Sequence, residues 1–315
     1  MDSLDIIDQE EKTNLPKFQP VDFNFWKNIL VLLGNVILGA LLAALFSVVV
    51  AVLWGYDFTA LANIVSGNNP DTDVNLIRLI LALNQAFTFL LPGLLTAYII
   101  YNKSWIRSLF LNTSPSNKNW VIAVVILLCS LPLVQYTYFI NKMLPLPQAW
   151  LEQEESTEAL LKLIMTYTSS YEVFINLFLI AVLPALGEEI IFRGLLQKNI
   201  EWFSKNGHLA VWISALVFSA IHFQFAGFIP RMILGGILGY LFYFTRNLWV
   251  PIIAHFFNNG AQVIADFFYK EELSTLDVDG VESVPWYAAI ISFVLVITLL
   301  RLLQKNNLLI NSKSV

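Results

Sequence analysis

The sequence predicts an all-α protein, a polytopic membrane helix bundle of about eight transmembrane helices. Hydrophobic residues make up 57% of the 315, charged residues only 13%, and the mean hydropathy is +0.67. A soluble domain is nearer half apolar and a quarter charged, so this chain in water would be over-supplied with apolar surface. Its apolar runs recur at about the 20 residues a helix needs to cross a bilayer. Trp26, Trp54, Trp120, Trp249 and Trp286 stand at the ends of such runs, as aromatic belts do at a membrane interface.

The runs cover approximately 27–53, 77–101, 120–140, 173–202, 208–223, 229–245, 248–269 and 285–303. The fifth and sixth are short and are joined by Gln224-Phe-Ala-Gly-Phe-Ile-Pro230, which leaves one of them open to a partly re-entrant path. Four regions follow: a polar tail at 1–26, N-terminal helices with an acidic loop at 27–172, a core at 173–270 that carries the chemistry, and an acidic loop, last helix and tail at 271–315. The polar, acidic start lacks a basic stretch followed by a short apolar core, so the first span is expected to act as its own insertion signal. An even number of spans puts both termini on one side. Twelve Lys and Arg then fall on that side against five on the other (Arg78, Lys142, Lys162, Arg231 and Lys270), with Arg193 set aside, which predicts cytosolic termini. From Trp150 to Tyr171, four glutamates precede Leu160, Leu161, Leu163, Ile164 and Met165. This segment reads as a solvated loop leading into the next span, with a short amphipathic helix on the membrane as the alternative.

The net charge of −5 and pI near 5.2 argue against a nucleic-acid partner. Cys129 is the only cysteine, which excludes an intrachain disulfide and a thiolate metal cluster. There is no Gly-x-Ser-x for a serine nucleophile and no Gly-x-Gly-Asp for an aspartyl pair. Asn84, Thr88 and Pro92 form a polar patch that reads as structural or kink-related.

The charges inside the fourth run matter most. Glu188, Glu189 and Arg193 interrupt an otherwise apolar stretch, where each ionisable group costs roughly 2.5–3.5 kcal/mol on insertion scales. Glu189 and Arg193 are i,i+4 neighbours and pair on one helix face. Glu188 lies about 100° around the helix and is free to face something else. Two of the three histidines, His222 and His255, also lie in apolar runs. His255, Asn259, Gln262 and Asp266 share one helix face, a stripe that must meet protein or water. At about 1.5 Å per residue, Glu188, His222 and Asn259 lie roughly 21, 21 and 17 Å above the same membrane face and His255 near 10 Å, so they can meet.

These residues resemble the CAAX-protease and bacteriocin-processing family of intramembrane proteases, also called the Abi family. Its Glu-Glu-x-x-x-Arg motif reads Glu188-Glu189-Ile-Ile-Phe192-Arg193, its Phe-x-x-x-His motif runs from Phe218 to His222, and its His-x-x-x-Asn motif from His255 to Asn259. The resemblance covers roughly 173–270 and implies an intramembrane endopeptidase acting on a membrane-associated protein or peptide in the lipid bilayer. It makes Glu188 the general base for water, His222 a holder of that water, His255 and Asn259 the oxyanion donors, and Glu189 with Arg193 a supporting pair. A carboxylate shielded from bulk water suits general-base work, and donors aimed at a developing oxyanion are worth several kcal/mol in a dry site. The expected location is a bacterial cytoplasmic membrane.

Members of this family have also been described as metalloproteases, and Glu188, His222 and His255 form the ligand set for zinc in that case. Yet His-Glu-x-x-His is absent, and zinc would consume the base, so the reading favours no cofactor. The rival from another class is a non-catalytic transporter, scaffold or bacteriocin-immunity protein, in which intramembrane charges serve ion paths or helix association.

Overall fold

Each apolar run folds as a helix whose ends are set by local sequence. The computed structural model describes residues 23–65, 73–275 and 284–313. The tail through residue 22 and most of the acidic loop expected at 271–282 lie outside the described residues. Helix α1 (Phe25–Leu53) starts at Asn24, whose side chain accepts the Lys27 N–H at 3.0 Å. A short helix, Phe58–Val65, precedes α2 (Val74–Ser108), which contains a π-helical turn at Ala86–Leu90. That turn lies within the Asn84–Thr88–Pro92 patch read as structural or kink-related. There follow α3 (Asn117–Lys142), α4 (Gln148–Ile164), α5 (Glu172–Ser204), α6 (Gly207–Ala220), α7 (Phe228–Thr245), α8 (Trp249–Thr275) and α9 (Trp286–Lys313). Lys205 and Arg246, both at positive φ, end α5 and α7, and Asn206 caps α6 by accepting the Leu209 N–H at 3.0 Å.

Six of these helices are long and apolar enough to cross a membrane: α1, α2, α3, α5, α7 extended back to Phe225, and α9. The protein is an integral membrane protein. Among the described residues the count of eight is not confirmed, for two physical reasons. Helix α6 has 14 residues, short of a span. Helix α8 has 27, but its stripe of His255, Asn259, Gln262 and Asp266 dilutes its apolar character. The segment read as a solvated loop, with a short amphipathic helix as the alternative, holds the helix α4. Trp150 stacks on Phe225 with ring centroids 3.9 Å apart, and Glu154 Oε2 accepts the Ala226 N–H at 3.1 Å. Ile164, at its last turn, is fully buried.

Helix α5 is the centre of the bundle. In its apolar window 61% of residues are buried, against 17% in α1 and in α2. Helix α6 packs along α7, α3 lies against α7, α8 and α9, and α8 runs along the first half of α5. Buried amides cross-link the layers: Asn28 donates to Asn199 at 2.8 Å, and Gln197 to the Gly239 carbonyl at 3.0 Å. Arg78, read from sequence as a charge in an outer segment, is buried. It donates to Glu172 at 2.9 Å, to the Ile164 carbonyl at 3.0 Å and to Asn176 at 3.1 Å, tying α2 to the end of α4 and the start of α5. Removing one partner of a buried ion pair leaves the other charge uncompensated, so Arg78→Ala should cost roughly 3–5 kcal/mol. A melting temperature in detergent equal to that of wild type would contradict this.

Candidate active site

The local structure of α5 sets the stage. Residues Leu183–Glu189 form an α-helical segment between two π-helical ones, Leu177–Val182 and Ile190–Gln197. π turns re-aim the face that follows and leave backbone carbonyls without their usual donor. Gly187 precedes the acidic pair and packs on the π turn of α2. A Cβ there would stand 2.9 Å from both Leu90 N and Phe89 Cβ, so glycine is what permits the approach.

Glu189 is fully buried, and its Oε1 accepts from Arg193 Nη1 at 2.7 Å and from His255 Nδ1 at 2.8 Å. Arg193 also donates to the Gly235 carbonyl at 2.9 Å and lies over the Phe218 ring, 4.8 Å from its centroid. Because Glu189 is an ion-paired acceptor, His255 must donate through Nδ1, which leaves Nε2 turned toward Glu188 Oε2 at 3.9 Å. Glu188, 3% exposed, makes no hydrogen bond among the described residues.

The depth argument placed His222 inside a helix. It stands in the turn just past the end of α6 at Ala220, next to Phe223 at φ 52°. From there its Nδ1 bonds the Phe218 carbonyl at 2.7 Å, a carbonyl freed by the helix end. A carbonyl can only accept, so Nδ1 carries the proton and Nε2 is an acceptor. Asn259 Nδ2 donates to the Ile180 carbonyl, inside the first π segment of α5, at 3.0 Å. One of its two amide hydrogens is thereby used and the other remains.

Glu188, His222, His255 and Asn259 all line one cavity of about 520 Å³. Glu189 and Arg193 stand behind it. Three contributors went unread in the sequence. Helix α4 covers the cavity with Leu161 and Ile164, Gln85 of α2 lines it, and Arg231 in the first turn of α7 supplies a cation. Arg231 carries the same insertion penalty that singled out Glu188, and that penalty was the signal available in the sequence. Among the described residues, no three His, Cys, Asp or Glu are grouped so as to hold a metal ion.

Fold and cavity together define an all-helical integral membrane protein with a paired-carboxylate and imidazole centre inside the bundle. Residues 170–261 match the family described as Type II CAAX prenyl endopeptidase Rce1-like, a stretch that holds all three motifs and ends two residues beyond Asn259. Among curated proteins, the uncharacterized protein YpbD of Bacillus subtilis (strain 168) is 33% identical over 85 residues, which is 26% of this chain and 40% of that protein. The chain thus spans about two fifths of the curated relative it matches. No solved structure matches. The resemblance read from the motifs holds for this segment.

The two adjacent glutamates should differ in what they do for the fold. Glu189→Ala strands Arg193 and unties His255, and should cost roughly 3–5 kcal/mol. Glu188→Ala removes a group without a hydrogen bond at a cavity wall and should cost about 1 kcal/mol or less. Thermal unfolding of the two variants side by side checks the difference, and equal losses would contradict it.

Proposed function

We propose that the protein is an intramembrane endopeptidase that hydrolyses a peptide bond of a membrane-associated protein or peptide, with water activated by Glu188 and no resident metal. One observation carries the reading: a hydrogen-bond-free carboxylate, two imidazoles and an amide line a single cavity, in a segment that matches a peptidase family. The match named for a prenyl endopeptidase supports the reaction class; nothing on the cavity wall specifies a prenyl group.

The chemistry follows from the tautomers. A water in the cavity donates one hydrogen to Glu188 and the other to Nε2 of His222, which aims its lone pair at the substrate carbonyl carbon. Glu188 takes the proton as the C–O bond forms and the carbonyl π pair moves onto oxygen. The remaining amide hydrogen of Asn259 meets that oxyanion. His255, held by Glu189, donates there only when its Nε2 also carries a proton, so Asn259 is the donor present in either state. Collapse of the tetrahedral intermediate breaks the C–N bond, and Glu188 returns its proton to the leaving amine. Both termini lie in the cytosol in this reading, by the excess of Lys and Arg on their side.

Glu188→Gln should lower kcat/KM at least about 10²-fold, and Asn259→Ala roughly 10²–10³-fold with most of the loss in kcat. Both are measured on the purified protein with a fluorogenic membrane peptide. Full activity of Glu188→Gln would sink the hydrolytic reading and leave a scaffold or transporter. Activity should also survive chelation in a zinc-free preparation. Loss on chelation with recovery at one equivalent of zinc would overturn the metal-free mechanism.

A further inference from the structure

The cavity holds a cation for which hydrolysis by Glu188 has no use. Arg231 lines the same space as Glu188, His222 and His255. Its Nη1 donates to the Gln224 carbonyl at 3.1 Å and its Nη2 to Gln224 Oε1 at 2.6 Å. Both acceptors are neutral, so they orient the guanidinium without balancing its charge, and each Nη keeps a second N–H. Among the described residues no carboxylate forms an ion pair with it. Glu154 of α4 and Glu188 act on it only from further off. Glu154 is engaged by the Ala226 N–H, and Glu189 by Arg193 and His255. The remaining walls include Leu81, Leu127, Leu161 and Leu234. A partly buried cation gains more from a counter-ion here than it would in water, and the planar fork of arginine fits a carboxylate through paired N–H groups.

We infer that Arg231 determines specificity by binding a carboxylate of the substrate, so that the protein selects apolar peptide segments with an anion close to the scissile bond. The inference rests on the peptidase reading above. The anion is either the α-carboxylate of a chain end or an Asp or Glu side chain.

The test uses the full chain in phosphatidylcholine nanodiscs and an N-palmitoylated, fluorescein-labelled apolar decapeptide in three forms: C-terminal acid, C-terminal amide, and amide with one internal Gln replaced by Glu. At least one carboxylate form should be cut with kcat/KM roughly tenfold or more above the plain amide, and which form wins identifies the source of the anion. In Arg231→Gln the ratio should fall to about one, while Arg231→Lys should keep part of it. Equal cleavage of all three forms by wild type overturns the proposal. So does a preference that survives in Arg231→Gln, as expected if Arg231 only holds the turn at Gln224 or assists the oxyanion. Binding of the same peptides to Glu188→Gln separates this from the hydrolytic reading. If wild type cuts none of them, the peptidase reading fails, and the presence or absence of an Arg231-dependent binding preference alone decides the anchor.

Discussion

The site depends on one buried oxygen. Glu189 Oε1 accepts both from Arg193, within its own helix, and from His255 on α8. Arg193 carries the connection onward to the backbone of α7 at Gly235 and to the ring of Phe218 on α6. Four helices are thus keyed to a single carboxylate. At this depth such keying is strong, because each partner left alone is a charge or donor with no water to turn to. It also fixes the geometry beside Glu188. With Nδ1 committed to Glu189, His255 has a single ring orientation and presents Nε2 to Glu188.

The π-helical turns have a comparable role in the backbone. The two in α5 loosen the usual hydrogen-bond ladder, and a side chain from a neighbouring helix takes up a carbonyl in each. Ser214 of α6 donates to the Phe192 carbonyl at 2.9 Å, and Asn259 of α8 to that of Ile180. Irregular backbone at membrane depth survives only where protein or a cavity satisfies it. The distortions of α5 are therefore coupled to the two helices that complete the cavity. Gly187 adds the steric condition, letting the segment with Glu188 lie against the π turn of α2. The helix runs 33 residues through these distortions without a break.

What was legible in the sequence was whatever periodicity and insertion cost dictate. The i,i+4 pairing of Glu189 with Arg193 and the separate direction of Glu188 follow from 3.6 residues per turn. The all-helical membrane class follows from composition. The partner of His255 was not legible, since nothing in the spacing says that Glu189 would serve two donors from different helices. His222 was placed within a helix because its run is apolar, yet Ala220 ends α6 and the ring caps a free carbonyl. Helix α4 was legible only as the alternative to a solvated loop: its glutamates suggested solvent, while Trp150, Glu154 and Ile164 all make contacts with protein. Arg231 was assigned to an outer loop by counting, and counting charges does not reveal which of them face inward.

Polar groups that merely glue membrane helices together are found with partners, because association is what they contribute. Glu189, Arg193, Gln197 and Asn199 behave in this way, each with a near acceptor or donor. Glu188 does not. It is as deeply set as they are and lacks a hydrogen bond among the described residues, with His255 Nε2 at 3.9 Å. A neutral glutamine there would avoid the cost of holding an ionisable group in apolar surroundings without loosening any helix contact. A scaffold has no need to retain a carboxylate on those terms. The hydrolysis proposed above does need one, since a group already satisfied by hydrogen bonds from the protein would be a weaker base.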